Sequence, residues 1–407
     1  MVKRPGLRRG LGLPAPPRPL FESKWLISAS PHPYRAGGLA LGRTPETIER
    51  AIAQAAPPEA EGAPAILTLR HLSHRMDVSY KWLRTAVAGT DELYRDYTIS
   101  KRSGGGRRIA VPDPLLMAVQ RWIAREILRN RPVHTVSHAY SPGSSIVRCA
   151  GRHAGAGWLL KLDIHDFFES IPERRIYRVF REVGYQPLLA FELARLCTRP
   201  WTNPSEAQRE RRSVGNPAHR GPKVYARQLT GYLPQGAPTS PMLSNLVCLR
   251  LDVELAALAA GAGMVVTRYS DDITLSGPAG SFDRAKAMTL VGEVRDTLSK
   301  HGFRLHERKI SIVPPGGRKV VLGLLVDRAQ PRLTPEFRQR AADHVRGIEK
   351  FGIAAHAKVR GFDAVTGMVE HIAGVIRFAG HVEPAFADPL RQRLEAALAQ
   401  QGWTPQY

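Results

Sequence analysis

Three things are scarce in this chain of 407 residues, and each scarcity narrows the class of protein. Cysteine occurs only 3 times, an odd number without the spacing of metal ligands, which excludes a disulfide framework and a zinc module. We therefore expect reduced, buried thiols in a cytoplasmic protein. No apolar run approaches the roughly 18 residues that a membrane-spanning helix requires, so no membrane partner is predicted.

Acidic side chains are the third scarcity. There are 36 Asp and Glu residues against 59 Lys and Arg residues, which gives a formal net charge of +23 at pH 7. Such a surplus opposes compaction by self-repulsion unless a polyanion neutralises it. Nucleic acid is the first candidate partner on charge; an anionic membrane is a distant second on the same ground and is not among the expected partners. The length allows two or three subdomains, and the hydrophobic content of 43% is ordinary for a globular protein.

Hydrophobic periodicity predicts helices that alternate with strands. A helix is expected after Thr44, whose side chain can cap it, and another over "LLMAVQRWIAREIL". Strands are expected over "WLLKL", over "RLHERKISIV" and "KVVLGLLVD", and over both halves of "GMVVTRYSDDITLSG", which forms a hairpin. One long helix is expected after the turn "QGAPTSP". This pattern indicates an α/β or α+β core flanked by helical ends.

Two adjacent carboxylates, Asp271 and Asp272, stand in the turn of the predicted hairpin. They are either solvated turn residues or ligands of a divalent metal. Asp163 follows the apolar run "WLLKL", where a carboxylate is costly unless it is solvated or bound to metal. Two-metal phosphoryl transfer requires carboxylates from separate parts of the chain that converge on ions roughly 4 Å apart. The three aspartates are therefore candidates for such a site.

Six segments resemble, in order, the catalytic motifs of bacterial retron-type reverse transcriptases. These segments are "SGGGRRIAVPDPLLMAVQRWI" for motif 1, "LDIHDFFESI" for motif A, "LPQGAPTSPMLSN" for motif B, "YSDD" for motif C, "HGFRLHERK" for motif D and "VLGLLV" for motif E. The resemblance implies an α+β fold of the right-hand polymerase class, with fingers, a palm with an antiparallel sheet, and a helical thumb. The expected divisions are a basic, disordered arm at 1–45, N-terminal helices and fingers at 46–155, the palm at 156–328 and the thumb at 329–407.

The resemblance also assigns a metal site and its cofactor. Asp163 and Asp271 are the implied metal ligands, together with the backbone carbonyl of Ile164, and Asp272 lies in the same acidic cluster. The implied cofactor is a pair of Mg²⁺ ions, for which Mn²⁺ can substitute.

A second set of residues is implied to bind the incoming deoxynucleoside triphosphate: Arg107, Arg108, Phe168, Gln235, Gly236 and Lys309. Either Arg107 or Arg108 grips the triphosphate, and the sequence leaves the choice open. Phe168 is the implied steric gate against the sugar 2′-hydroxyl, or else a core aromatic like Phe167. Lys309 is the implied proton donor to pyrophosphate, or else a surface lysine.

Primer and template contacts are implied for Tyr269, Ser270, Ala150 and His153. The last two match the retron element NAxxH, although Cys149 replaces its asparagine, and the VTG triplet of the family is here "VLG", with Leu322 for threonine. A basic insertion at about 199–232 is either a solvated loop or an RNA-binding loop.

The resemblance implies a structured noncoding RNA as template, with one of its 2′-hydroxyl groups as primer. The product would be single-stranded DNA joined to RNA (msDNA), first formed as an RNA–DNA hybrid, and the role would be anti-phage defence with an effector protein. Two other functions remain open. One is a defence-associated or abortive-infection reverse transcriptase with protein-primed or template-independent synthesis, and the other is a non-enzymatic RNA-binding protein on a polymerase fold.

Overall fold

The computed structural model describes residues 31–100, 106–201, 231–280 and 282–403. These residues form fifteen α-helices: α1 (Pro31–Ala40), α2 (Pro45–Ala60), α3 (Leu69–Met76), α4 (Tyr80–Ala88), α5 (Pro114–Ile123), α6 (Ile146–Gly151), α7 (Glu173–Glu182), α8 (Pro187–Cys197), α9 (Ser240–Val247), α10 (Leu249–Gly261), α11 (Arg284–Lys300), α12 (Pro335–Phe351), α13 (Ile353–Val359), α14 (Val365–Val382) and α15 (Pro384–Gln400). They also form eleven β-strands: β1 (Tyr94–Ser100), β2 (Gly106–Pro112), β3 (Trp158–Asp163), β4 (Arg199–Pro200), β5 (Gly231–Tyr232), β6 (Val265–Tyr269), β7 (Asp272–Gly277), β8 (Ser311–Val313), β9 (Val320–Val321), β10 (Leu324–Leu325) and β11 (Arg332–Leu333).

The chain divides into two compact units, each assembled from three segments. The first unit comprises Met1–Pro142, Ile164–Val253 and Leu298–Arg304, and the second comprises Gly143–Asp163, Glu254–Thr297 and Leu305–Tyr407. Helix α1 lies inside the predicted arm 1–45, so the expectation of disorder is wrong from residue 31 onward. Residues 1–30 and 202–230, which include most of the basic insertion, lie outside the described residues. The predicted boundaries near residues 155 and 328 stay predictions.

The first unit contains an antiparallel hairpin set among helices. Strands β1 and β2 pair along their whole length, from Tyr94 opposite Pro112 to Ser100 opposite Gly106. Gln120 on α5 is fully buried, and its Nε2 donates to Tyr94 Oη and to the Leu196 carbonyl, both at 2.8 Å. A buried amide needs such partners, so these bonds tie α5 to the base of the hairpin and to the end of α8. The predicted cap of α2 is confirmed, since Thr44 Oγ1 accepts from the Thr47 N–H.

The second unit contains a four-stranded antiparallel sheet in the order β6-β7-β3-β8. Strand β3 is interior to this sheet, and five of its six residues are buried. A strand covered on both faces requires a nearly continuous apolar run, which explains the sequence "WLLKL". The core of the unit also takes in Leu159 of β3, Leu324 of the small sheet β9–β11, and buried side chains of the C-terminal helices, among them Val345, Met368 and Leu394.

Three predicted elements differ from the structure. The strand expected over "RLHERKISIV" is strand only at β8, because Glu307–Lys309 forms a 3₁₀ turn. The strand expected over "KVVLGLLVD" is a tight hairpin of β9 and β10 that reverses at Leu322 and Gly323, where φ is +48° and +83°. The long helix after "QGAPTSP" is two helices, α9 and α10, that meet at Cys248. None of the helices within the described ranges is long and apolar enough to cross a membrane.

Candidate active site

The hairpin β6–β7 brings the three predicted aspartates together in the second unit. Asp163, the last residue of β3, lies directly opposite Asp272, the first residue of β7. Directly opposed residues of antiparallel strands have Cβ atoms roughly 5 Å apart. Asp271 precedes Asp272 in the two-residue turn, whose first residue, Ser270, has a φ of +63°. The acidic cluster is therefore a product of strand register, and the predicted hairpin is confirmed.

Burial and mutual repulsion act on the acidic pair in the same direction. Burial raises the pKa of Asp272 to about 6, and the charges of Asp271 and Asp163 add to this effect. The pKa of Asp271 is also raised, mainly by burial and further by Asp163. Both shifts mean that the charged carboxylates are electrostatically costly where they stand. A nearby divalent cation would reverse this cost.

Lys309 contacts this cluster directly. Its Nζ donates to Asp163 Oδ2 at 2.8 Å, and the lysine side chain is otherwise about half exposed. The 3₁₀ turn Glu307–Lys309 sets this position, since the His306 N–H donates to the Asp163 carbonyl at 2.8 Å. Glu307 in turn forms a bidentate ion pair with Arg295 on α11, at 2.8 and 3.0 Å. The structure thus places the motif D lysine beside an aspartate of motif A.

The hairpin is braced from beneath by a buried histidine. His153 is 1% exposed, and its two ring nitrogens lie 2.7 Å from Thr267 Oγ1 on β6 and 2.7 Å from Ser276 Oγ on β7. Cys149 Sγ donates to the same Thr267 hydroxyl at 3.4 Å, and Ala150 is fully buried. His153 and Ala150 were predicted to contact primer or template, and their burial contradicts a direct contact. Their observed position instead supports the strands that carry the acids.

Arg268 is a site residue that sequence reasoning missed. It is fully buried, and its Nη1 donates to the Ser270 carbonyl at 3.0 Å, which supports the turn between the two strands. A positive φ at a serine is strained, so the turn needs such external support. The sequence did contain a signal for Arg268, which directly precedes the motif C segment "YSDD", because an arginine inside an apolar strand requires a specific partner for its buried charge. Tyr269 is half-buried beside this turn.

The donor atoms of the acidic cluster determine which metal ion it can hold. Within the described residues no group of three or more His, Cys, Asp or Glu side chains forms a ready metal cage. Mg²⁺ does not need one, because it is usually held by one or two carboxylates together with substrate phosphates and water. Asp163, Asp271 and Asp272 offer only hard oxygen donors, and two of them have raised pKa values. The donor set therefore fits Mg²⁺ or Mn²⁺.

The residues predicted to bind nucleotide, other than Lys309, lie in the first unit. Gln235 is half-buried and its carbonyl accepts from the Ala110 N–H of β2 at 2.8 Å. Gly236 has a φ of +118°, and a Cβ atom there would lie 2.7 Å from Ile109 Cγ2 and 2.8 Å from the Ala110 carbonyl oxygen. Motif B thus packs so closely on the motif 1 strand that only glycine fits at position 236.

Phe168 and Ile164, of motif A, also lie in the first unit. The Phe168 ring is half-buried, 5.4 Å from that of Phe167 and 6.5 Å from that of Tyr140. Phe167 is 4% exposed and is a core aromatic, as the sequence predicted. Ile164 is buried, and the metal role of its carbonyl stays a prediction.

The two arginines of motif 1 have different surroundings. Arg108 Nη2 donates to Asp96 Oδ2 at 2.6 Å, whereas Arg107 forms no ion pair with the described residues. Neither Asp96 nor its second partner, Arg199, was predicted as a site residue. A polar residue on an exposed strand carries no signal in sequence alone.

Comparison with known proteins agrees with this geometry. Residues 99–332, more than half of the chain, match the family model of the reverse transcriptases, the RNA-dependent DNA polymerases. The chain belongs to the reverse transcriptase family. The predicted polymerase fold class is confirmed by this match.

Retron proteins are among the relatives of this reverse transcriptase. The retron Mx162 reverse transcriptase of Myxococcus xanthus is 34% identical over 299 residues, which are 72% of this chain and 58% of that protein. The retron Ec86 reverse transcriptase of Escherichia coli is 29% identical over 66% of this chain and 73% of that protein. The retron Mx65 reverse transcriptase of M. xanthus is 30% identical over 74% of this chain and 64% of that protein. The chain thus spans less than two thirds of the two Myxococcus relatives, and the predicted resemblance to retron-type enzymes is confirmed.

Proposed function

We propose that this protein is an RNA-directed DNA polymerase of retron type. The observation that carries the proposal is the convergence of Asp163, Asp271 and Asp272 at one edge of an antiparallel sheet, with Lys309 bonded to Asp163 at 2.8 Å. Deoxynucleoside triphosphates are the substrates, and pyrophosphate is the leaving group. A non-catalytic protein would have no use for an acidic cluster in which two carboxylates, Asp271 and Asp272, are costly to keep charged.

Three of the proposed roles belong to groups at this acidic edge of the sheet. Asp163 and Asp271, with the Ile164 carbonyl, would hold Mg²⁺, which would supply activation of the attacking hydroxyl and charge neutralisation on the phosphate oxygens. Lys309 is an ammonium group beside that charge, and it gives a proton to the departing pyrophosphate. Asp272, on the neighbouring strand β7, contributes its negative charge to the electrostatic potential of the cluster.

Nucleotide selection is proposed for the first unit. An Arg–triphosphate contact is charge-assisted and can be bidentate, which suits motif 1. Phe168 acts as the gate that disfavours a ribose 2′-hydroxyl, and its ring lies 5.4 Å from that of Phe167 and 6.5 Å from that of Tyr140. Gln235 and Gly236 shape the motif B backbone on strand β2.

The proposed template is a structured noncoding RNA that also supplies the priming 2′-hydroxyl. The formal net charge of +23 supports a polyanionic partner, and the retron relatives support an RNA of that class. The proposed product is single-stranded DNA joined to this RNA through a 2′–5′ branch, and the proposed role is anti-phage defence with an effector protein. A cytoplasmic location remains a prediction.

The test is to express the protein from its native locus, purify it, and sequence the bound nucleic acid before and after RNase and debranching treatment. The matched control is Asp271→Ala, checked for an unchanged circular dichroism spectrum and for a melting temperature no lower than that of the wild type. A defined RNA joined to complementary DNA, absent from the variant, is the expected result.

Two other outcomes would each overturn a specific part of the proposal. DNA linked to protein, or DNA without a template, would retain the polymerase site but overturn RNA templating and retron priming. RNA alone in both the wild type and Asp271→Ala, with no extension of a supplied RNA template–DNA primer, would overturn the enzyme and favour an RNA-binding protein.

A further inference from the structure

Three charged residues form a connected chain in the first unit, at the base of the hairpin β1–β2. Asp96 on β1 accepts from Arg108 Nη2 at 2.6 Å. The same carboxylate accepts from Arg199 at 2.7 Å on Oδ1 and 3.2 Å on Oδ2. Asp96 thus lies between the two guanidinium groups and bonds to both.

The two ends of this chain differ in freedom. Arg199 is 6% exposed and is held further by Glu92 at 3.2 Å and by the ring of Tyr94, whose centroid lies 5.6 Å away. Arg108, in contrast, has a side chain that is 70% exposed. Hydrogen bonds from Arg108 and Arg199 hold the pKa of Asp96 well below its usual range, so the carboxylate stays charged. The buried arginine therefore fixes the carboxylate, and the carboxylate limits the exposed arginine.

Strand geometry explains why only one of the paired arginines is held. Asp96 is opposite Ala110, and Arg108 is opposite Thr98, so Asp96 and Arg108 stand two positions apart on one face of the hairpin. Arg107 is opposite Ile99, and successive strand residues point to opposite faces. Arg107 therefore faces away from Asp96.

We infer that Asp96 is a positioning residue that fixes the guanidinium of Arg108, so that Arg108, and not Arg107, grips the triphosphate of the incoming nucleotide. The inference rests on the proposed polymerase function and selects between two arginines that the motif leaves equivalent. A guanidinium has five N–H donors, and within the described residues Asp96 occupies only one nitrogen of Arg108. The remaining donors are open to phosphate oxygens. Because Asp96 is shared with Arg199, it orients Arg108 without cancelling its charge.

The physical gain is preorganisation. A free arginine side chain loses rotamer entropy when it is immobilised on a ligand. Asp96 imposes part of that restriction before the nucleotide binds, so its loss weakens nucleotide affinity without altering the reacting groups. The signature is a change in KM or Kd for the nucleotide at nearly constant kcat.

The experiment is a double-mutant cycle of Asp96→Asn and Arg108→Ala, read by dTTP binding and by dTTP kinetics. Binding is measured on a poly(rA) template with an oligo(dT) primer that ends in a dideoxynucleotide, and kinetics on the extendable primer. Asp96→Asn is expected to raise the Kd and KM for dTTP about five- to tenfold, with kcat within twofold and unchanged template–primer affinity. In the Arg108→Ala background the same change is expected to have no further effect. Asp91→Asn, an exposed aspartate with no ion pair among the described residues, is the matched control.

Each contrary result has a separate meaning. Equal losses from Asp96→Asn in both backgrounds, or a lower melting temperature and kcat with unchanged Kd, would overturn the positioning role and leave Asp96 merely structural. A wild-type protein that binds dTTP but does not extend the primer would overturn the proposed polymerase, while the binding cycle still decides the role of Asp96. A wild-type protein that binds no dTTP would overturn both.

Discussion

Hairpin β6–β7 of the second unit and hairpin β1–β2 of the first unit both present charged side chains, but their supports differ. In β6–β7 seven of the eleven strand residues are buried, and the buried His153 forms hydrogen bonds with both strands. In β1, six of seven residues are exposed, and an ion-pair chain through Asp96 provides the order. The buried hairpin β6–β7 holds carboxylates close together although their charges repel, whereas the exposed hairpin β1–β2 holds the charge of Arg108 through an ion pair with Asp96.

This difference leads to different expectations for substitution. Removing a carboxylate from β6–β7 relieves repulsion, so activity and stability should change in opposite directions. Removing Arg108 from β1–β2 breaks only an exposed ion pair, so nucleotide affinity should change with little effect on stability.

Asp272→Asn is expected to lower DNA synthesis about 10³-fold, because a carboxylate of the metal cluster is lost. The same change should raise the melting temperature in metal-free buffer at pH 8. In the folded protein the pKa of Asp272 is raised from 3.8 to about 6, so the charged form costs stability above pH 6, and this cost fades as the pH falls toward 3.8. The gain from Asn should accordingly shrink between pH 8 and pH 4.5.

Calorimetry in EDTA measures this gain, with Asp363→Asn as an exposed control in the same unit. A lower melting temperature for Asp272→Asn at pH 8 would show that the acidic edge is not under electrostatic strain.

Lys309→Ala is expected to lower kcat about 10²-fold, with little change in the KM for nucleotide, because a proton donor to pyrophosphate is lost. The structural reason is its Nζ at 2.8 Å from Asp163. Arg308→Ala is the matched control, since Arg308 is an exposed neighbouring cation without an ion pair to the described residues. Single-turnover extension at several pH values measures the effect. Equal rates for the two variants would reduce Lys309 to a surface lysine.

His153→Gln is expected to lower kcat about tenfold, because the strands that carry Asp271 and Asp272 lose a shared brace. The loss of two buried hydrogen bonds should also destabilise the protein by about 2–3 kcal/mol. RNA affinity should stay unchanged, which filter binding measures, with His32→Gln as an exposed histidine control. A weaker affinity for RNA at an unchanged melting temperature would restore the predicted template contact.

Sequence patterns predicted the acidic edge well because its elements are defined by local signals. The apolar run that ends at Asp163, and the alternation around Asp271 and Asp272, are features of three strands that the structure confirms. The antiparallel register of β3 and β7 then brings the aspartates together, since Asp163 lies opposite Asp272. The motif order of the family supplied the roles, which local pattern alone does not contain.

The parts that the sequence did not predict depend on contacts between distant segments. The bond of Arg199 to Asp96 joins residues 103 positions apart. The 3₁₀ turn at Lys309 and the positive φ of Leu322 replace what strand-forming composition predicted, because tertiary context overrides β-propensity in short segments. His153 was assigned to nucleic acid because its motif was known and its burial was not.

The smallest expected effect distinguishes the two faces of the hairpin β1–β2. Arg107→Ala should change the KM for dTTP less than about twofold, because a solvated cation without a partner among the described residues contributes little. Arg108→Ala, one position along the strand, should raise the same KM about tenfold, because it removes charge-assisted bonds to phosphate. Template–primer affinity, measured at two salt concentrations, separates a general loss of positive charge from a loss of the triphosphate contact. If Arg107→Ala has the larger effect on KM, then Arg107 is the arginine that contacts the nucleotide. The ion pair to Asp96 would then keep Arg108 away from the triphosphate.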